Sequence, residues 1–171
     1  MAKMQKITSN LWFDTQAEEA AKFYTSVFNN AGIGRITRYP KEGFEVHGMK
    51  EGTVMTVQFW MEDQEFVALN GGPHFKFNEA VSFIVNCENQ QEIDYYWEKL
   101  SEGGDKKAQQ CGWLKDKFGL SWQIVPTMLL DMYNDEKSKK SERVMRAMLQ
   151  MKKLDIAKLE EAYNEREMSK A

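Results

Sequence analysis

The chain has 171 residues, 42% hydrophobic and 12% aromatic, enough to bury roughly two-thirds of its unfolded surface in one core. A net charge of −3 and a pI near 5.6 give no field that would gather nucleic acid or an anionic membrane, and no apolar run approaches the ~18–20 residues of a membrane span. The two cysteines, Cys87 and Cys111, stand at no metal or redox spacing, and the first twenty residues lack an apolar signal core. Together these features lead to the expectation of a cytoplasmic protein with free thiols.

The apolar residues Ile7, Leu11 and Phe13 fall at odd positions and predict a strand. A helix follows, with Ala17, Ala20, Ala21, Tyr24, Val27 and Phe28 at three- and four-residue steps and acids in its first turn. Ile33 to Tyr39, Thr53 to Met61 and Glu65 to Asn70 are rich in β-branched and aromatic residues and read as three more strands, the last ended by Gly71-Gly72-Pro73. The order is β-α-β-β-β. It starts again seventy-two residues later, where strand 81–85 and helix 90–100 set Leu11 against Phe83, Phe13 against Val85, Tyr24 against Tyr96 and Phe28 against Leu100. That correspondence points to an internal duplication.

The second repeat ends in residues 111–126, which hold two of the five tryptophans on either side of a polar turn. With Asp116 to Gly119 as a four-residue loop, Trp113 stands opposite Trp122, Gly112 opposite Gln123 and Cys111 opposite Ile124. Trp113, Leu120, Trp122 and Ile124 then form one face. Gly112, Leu114, Ser121, Gln123 and Val125 form the other, on which Gly112 leaves room for a ligand beneath the Gln123 amide. After Pro126 the strand pattern stops. Six of the eleven methionines lie in residues 127–171, where Thr127 to Tyr133, Ser141 to Met151 and Asp155 to Tyr163 are expected as helices. Residues 135–153 carry seven Lys or Arg against three Asp or Glu, read as a solvated face because no aromatic residue interleaves with the charges.

The strings Leu-Trp-Phe at 11–13, Glu-Glu-Ala-Ala-Lys-Phe-Tyr at 18–24, Ala-Leu-Asn-Gly-Gly-Pro at 68–73, Phe-Asn-Glu-Ala-Val-Ser-Phe at 77–83, Tyr-Trp-Glu-Lys-Leu at 96–100 and the hairpin resemble a known family. It is the PhnB-like branch of the vicinal oxygen chelate, or glyoxalase and bleomycin-resistance, superfamily. The resemblance continues into residues 143–159. It implies an α+β fold of two tandem βαβββ modules, about 5–71 and 78–126, forming a glyoxalase-like curved sheet within a domain spanning 1–126. Residues 127–171 would add a C-terminal helical extension. Members often carry the label demethylubiquinone methyltransferase. A methyl donor is usually held by a glycine-rich turn between a parallel strand and a helix. Here Gly71-Gly72 precede Pro73 and Gly103-Gly104 follow a helix, so the label is not supported by the residues.

In metal-using relatives the resemblance implies His, Glu or Gln ligands on the concave face of the first and last strand of each module. Assigning the more apolar face of each strand to helix packing leaves Asn10, Trp12, Gln58, Trp60, Phe66, Ala68, Asn70, Ala80, Ser82, Ser121 and Gln123 toward the cavity. Gln123 stands where a carboxylate ligand would be implied, and neutral amides are poor ligands for a catalytic divalent metal. No metal or other cofactor is expected. Asn10, Trp12, Gln58, Trp60, Asn70, Ser82 and Gln123 form the expected ligand-binding set, combining flat apolar walls with amides that orient a ligand.

His47 and His74 read as loop residues, Cys111 as a buried structural thiol and Asp116 as a turn former; no catalytic residue is assigned. The expected function is metal-free binding of a small planar or neutral organic molecule. In the resistance branch the resemblance extends this to a sequestered antibiotic. The resemblance also supplies a homodimer, in which sheets of two modules or two chains close around a cleft. The alternative is a metal-assisted enzyme of lyase, isomerase or dioxygenase type. A further reading makes the helical extension a partner-binding element, against simple packing on its own domain.

Overall fold

The computed structural model describes residues 5–134 and 139–165. The chain divides into two compact units, Met1–Phe77 and Asn78–Ala171. The first runs β1 (Ser9–Phe13), α1 (Ala17–Val27), β2 (Ala31–Arg38), a single helical turn α2 (Phe44–His47), β3 (Val54–Met61) and β4 (Gln64–Asn70). Its four strands lie in the order β1-β4-β3-β2, with β1 parallel to β4 and the other pairs antiparallel. Alternation along β1 buries Leu11 and Phe13, and the three-four spacing of α1 buries Ala17, Ala20, Ala21, Tyr24 and Val27. Tyr24 stacks at 6.1 Å on Phe59, which stacks at 5.4 Å on Phe66. Truncating a ring from such a core costs ~3–5 kcal/mol.

The phase of β4 differs from the sequence expectation. Phe66, Ala68 and Asn70 pair in register with Phe59, Val57, Leu11 and Phe13, so they lie on the helix side of the sheet and are buried. For Asn70 the reason is a cap. Gln16, at the start of α1, makes no side-chain capping bond. Asn70 Oδ1 instead accepts the Ala17 N–H at 2.8 Å, and Nδ2 donates to the Val54 carbonyl at 3.0 Å. A helix N-terminus exposes N–H groups that need acceptors, and here the acceptor comes from a strand far along the chain.

The second unit runs β5 (Ser82–Cys87), α3 (Gln90–Ser101), a 3-10 turn at Lys106–Ala108, β6 (Trp113–Lys115) and β7 (Ser121–Pro126). The sheet order is β5-β7-β6, with β5 parallel to β7 and β6 antiparallel to it. Asn89 Oδ1 caps α3 by accepting from the Glu92 N–H at 3.0 Å, and the helix buries Ile93 and Leu100. The α+β plan of two modules is therefore present, with three strands in the second module instead of four. Where the first module has β2, the second has Gly103 to Gln110, polar and without apolar alternation. Asp105 Oδ1 turns this stretch by accepting the Lys107 N–H at 2.8 Å.

The hairpin register is one residue away from the expected one. Trp113 pairs with Gln123, Leu114 with Trp122 and Lys115 with Ser121, leaving Asp116 to Leu120 as the loop. Asp116 sets this length. Its Oδ1 accepts the N–H groups of Phe118 at 2.9 Å and Leu120 at 3.0 Å, and its Oδ2 accepts the Trp122 indole N–H at 2.9 Å. Leu114 therefore joins Trp122 and Ile124 in the core, and Trp113 moves to the face of Gln123.

The helical extension belongs to the second unit, as α4 (Met128–Tyr133), α5 (Lys140–Met148) and α6 (Ile156–Asn164). Leu129, Met132, Val144, Leu154 and Leu159 make its core, with Val125 of β7 packed against them. The link between α5 and α6 is fastened to the module. Cys111 and Gly112 donate their N–H groups to the carbonyls of Met151 and Lys152, each at 2.8 Å. Gln90 bonds the Leu154 carbonyl at 3.2 Å and the Ile156 N–H at 2.9 Å, and Lys153 pairs with Asp94 at 2.6 Å. Gly112 thus offers no space for a ligand. Its φ is +83°, and a Cβ there would lie 2.9 Å from the Ile124 carbonyl oxygen and 3.2 Å from Leu154. Of the basic run, Arg143 donates to the Ala162 and Tyr163 carbonyls at the end of α6, and Lys140 lies 4.6 Å from the Tyr163 ring centre. Residues 135–138 of that run and 166–171 of the extension lie outside the described residues. No helix among the described residues is long and apolar enough to cross a membrane.

Candidate functional site

Each unit presents a sheet face opposite its helix, and the candidate residues divide between these two faces. In the first unit the register sets Asn10, Val67 and Gln58 in one row across β1, β4 and β3, and Trp12, Leu69 and Thr56 in the next. Trp60 lies beyond the Gln58 row, opposite Glu65. Both indoles are laid on glycine. A Cβ on Gly71 would fall 2.2 Å from Trp12 Cζ2, and one on Gly32 would fall 2.3 Å from Trp60 Cζ2. The Trp12 N–H donates to the Gly72 carbonyl at 2.9 Å, and Phe75 meets the ring edge-on at 4.9 Å. Trp60 remains 39% exposed. The result is a strip of amide, hydroxyl and aliphatic groups with a fixed indole toward each end. Asn10, Trp12, Gln58 and Trp60 share this face; Asn70, 3% exposed, is on the other one.

In the second unit Ser82 and Gln123 meet directly, the amide Nε2 donating to the Ser82 hydroxyl at 2.9 Å. Ser121 lies between Ser82 and Lys115 in register. Its Oγ is buried and has no hydrogen-bond partner among the described residues. Lys115 forms an ion pair with Glu79. The hydrogen bond from Lys115 holds the Glu79 carboxyl below its ordinary value. Sequence reasoning set Trp113 on the face with Trp122 and did not place Lys115, Thr56, Val67 or Leu69 among the site residues. Val67 and Leu69 follow from the phase of β4, Thr56 from the β3 alternation that carries Gln58 and Trp60, and Lys115 and Trp113 from a loop set by Asp116.

The histidines lie off both faces. His47 Nδ1 accepts the Met49 N–H at 3.0 Å and its ring lies 4.5 Å from that of Tyr39, so it orders the loop containing α2. His74 is exposed in the loop after β4, with its ring 3.8 Å from the Cβ position of Gly72. Asp116, nearly fully buried, spends its carboxylate on the turn. Cys87 is buried beside β7, and burial pushes its thiol up to about 12, with Glu92 adding to the effect. Cys111 is half-buried with φ +53° and is held by the Met151 carbonyl.

In metal-using relatives the resemblance implies a divalent metal, and the expected donors at these strand positions do not fit one. Asn10, Gln58, Ser82 and Gln123 are neutral, the Gln123 amide nitrogen is already bonded to Ser82, and catalytic divalent sites draw on His and carboxylate groups. Among the described residues no three His, Cys, Asp or Glu side chains come together as a ligand set. The glycine pairs do not form a nucleotide-type turn either. Gly71-Gly72 lead from β4 into a loop, and Gly103-Gly104 lead from α3 toward the 3-10 turn.

The family profile of 3-demethylubiquinone-9 3-methyltransferase matches residues 5–125, ending where the helical extension begins, so the resemblance read in 143–159 lies outside it. A solved PhnB protein from Bacillus cereus, carrying the same family name, is 38% identical. The alignment covers 72% of this chain and 100% of that one, with a TM-score of 0.62. A solved protein from Pseudomonas aeruginosa shares the fold at 16% identity and a TM-score of 0.55, over 72% of this chain and 98% of that one. A glyoxylase/bleomycin resistance protein/dioxygenase domain from Frankia is 12% identical with a TM-score of 0.43, over 72% of this chain and 93% of that one. No curated protein matches the chain. With two βα modules, the profile match and the Bacillus relative, the chain belongs to the PhnB-like 3-demethylubiquinone-9 3-methyltransferase family.

Proposed function

We propose that the protein binds a small organic molecule with a flat apolar body, without a resident metal, and acts as a cytoplasmic homodimer that engages neither nucleic acid nor membrane. The carrying observation is the bond from Gln123 to Ser82 at 2.9 Å. At the position where the resemblance implies a ligand, the side chain is neutral and tied to its neighbouring strand. The indoles of Trp12 and Trp60, fixed on glycine, supply flat walls, and Asn10 and Gln58 supply amides between them. Two free thiols suit a reducing compartment.

Two measurements test this reading. Elemental analysis of protein purified without chelator is expected to find no stoichiometric metal, and one tight metal per chain would favour the metal-assisted enzyme. A thermal-shift screen of aromatic metabolites and drugs is expected to give hits, since a ligand at a hundred times its dissociation constant adds ~2.7 kcal/mol. Trp12→Ala and Gln123→Ala should weaken those hits; equal binding by both variants would remove these faces from the site.

A further inference from the structure

The second unit's sheet face holds a buried hydroxyl and an ion pair whose arrangement points to a charged ligand group. Ser121 on β7 has Ser82 on one side and Lys115 on the other. Lys115 reaches Glu79, which stands three residues before Ser82 in the segment leading into β5. β6, which carries Lys115, and β5, into which the Glu79 segment leads, flank β7 on opposite sides. Lys115 is the register neighbour of Ser121 on the same face of the sheet. Ser121 is 1% exposed and its Oγ has no partner among the described residues.

A buried hydroxyl without a partner is costly and seldom kept unless something else uses it. The Glu79 side chain, 63% exposed, is held by a partner it can exchange at little cost. We propose that Lys115 and Ser121 form a carboxylate subsite in which Glu79 stands in for the ligand: the carboxylate of a small organic acid displaces Glu79 from Lys115 and accepts a hydrogen bond from the Ser121 hydroxyl. The next row of the sheet, Ile84, Gln123 and Trp113, lies alongside to receive the apolar body of that acid, and Ile84 is 55% exposed. The inference rests on the small-molecule reading above and gives its ligand a charge.

The test compares benzoate with its neutral counterpart benzamide, titrated onto the full chain and followed by amide NMR shifts. Benzoate is expected to bind more tightly. Glu79→Gln, an exposed change, should raise benzoate affinity severalfold and leave benzamide unchanged, because it removes the competing carboxylate. Lys115→Met and Ser121→Ala should lower benzoate affinity about tenfold, the scale of one charge-assisted hydrogen bond. Equal binding of the two compounds, or benzoate affinity unmoved by Glu79→Gln, overturns the subsite and leaves the small-molecule reading standing. Absence of binding by both compounds in the wild type and in Glu79→Gln counts against both.

Discussion

The two units begin alike and finish differently. In each, a first strand and a helix bury the same kind of residue, Leu11, Phe13 and Tyr24 in one and Val85, Ile93 and Leu100 in the other. On the opposite face the first unit lays two indoles on glycine, while the second sets hydroxyls, an amide and an ion pair side by side. The helix side of a duplicated module is held by packing, because every buried side chain there has neighbours that fill space around it. The open side is held by a few polar ties, Trp12 to Gly72, Gln123 to Ser82 and Lys115 to Glu79. A second contrast concerns support: α4 to α6 are fastened to the second unit through the carbonyls of residues 151 and 152.

That contrast can be broken most severely by removing residues 127–171. Loss of the Leu129, Val144, Leu154 and Leu159 cluster and of its bonds to Cys111 and Gly112 should unfold β6 and β7 and cause aggregation. Hydrogen exchange would show this as lost protection in 111–126 with retained protection in β1 and β4. A soluble truncation with 111–126 still protected would show that the helices serve a partner instead.

Asn70→Ala is the corresponding blow to the first unit. It strips the cap from α1 and leaves the Val54 carbonyl without its side-chain donor, at a cost of ~1–3 kcal/mol by denaturant unfolding. A cost near zero would mean that α1 finds another acceptor.

The smallest effect separates the units by pH. The Cys87 thiol is raised from 9.0 to about 12 in the folded chain, so the folded state keeps a proton that the unfolded state releases. The stabilisation is fully present below pH 9 and is lost as pH rises toward about 12. Cys87→Ala should flatten the fall in stability over that window, and Cys87 should resist thiol reagents in the folded chain until the second unit opens.

The regular parts of this fold were legible in the sequence because local periodicity reports directly on burial. Leu11 and Phe13 alternate, and Ala17 to Val27 recur at helical steps. The failures came from polar residues with distant partners. Asn70 looks like a cavity amide because its neighbours in sequence do not reveal that it caps a helix starting at Ala17. Asp116 looks like a member of an ordinary four-residue turn because its tie to the Trp122 indole is visible only after the hairpin closes. Gly112 suggested room for a ligand, and Leu154 is near the place a side chain would occupy. In the candidate site, Asn10, Trp12, Gln58 and Trp60 could be read from alternation alone. Lys115 could not, since its face depended on the loop length.

The indoles resting on Gly32 and Gly71 carry a consequence for how this sequence can drift. A methyl group at either glycine collides with the ring above it, while a smaller residue in place of the ring uncovers bare backbone. Each tryptophan and its glycine are therefore sterically coupled: Trp60 with Gly32 across two strands, Trp12 with Gly71 across the length of the first module. Among relatives, loss of one member should be accompanied by loss of the other.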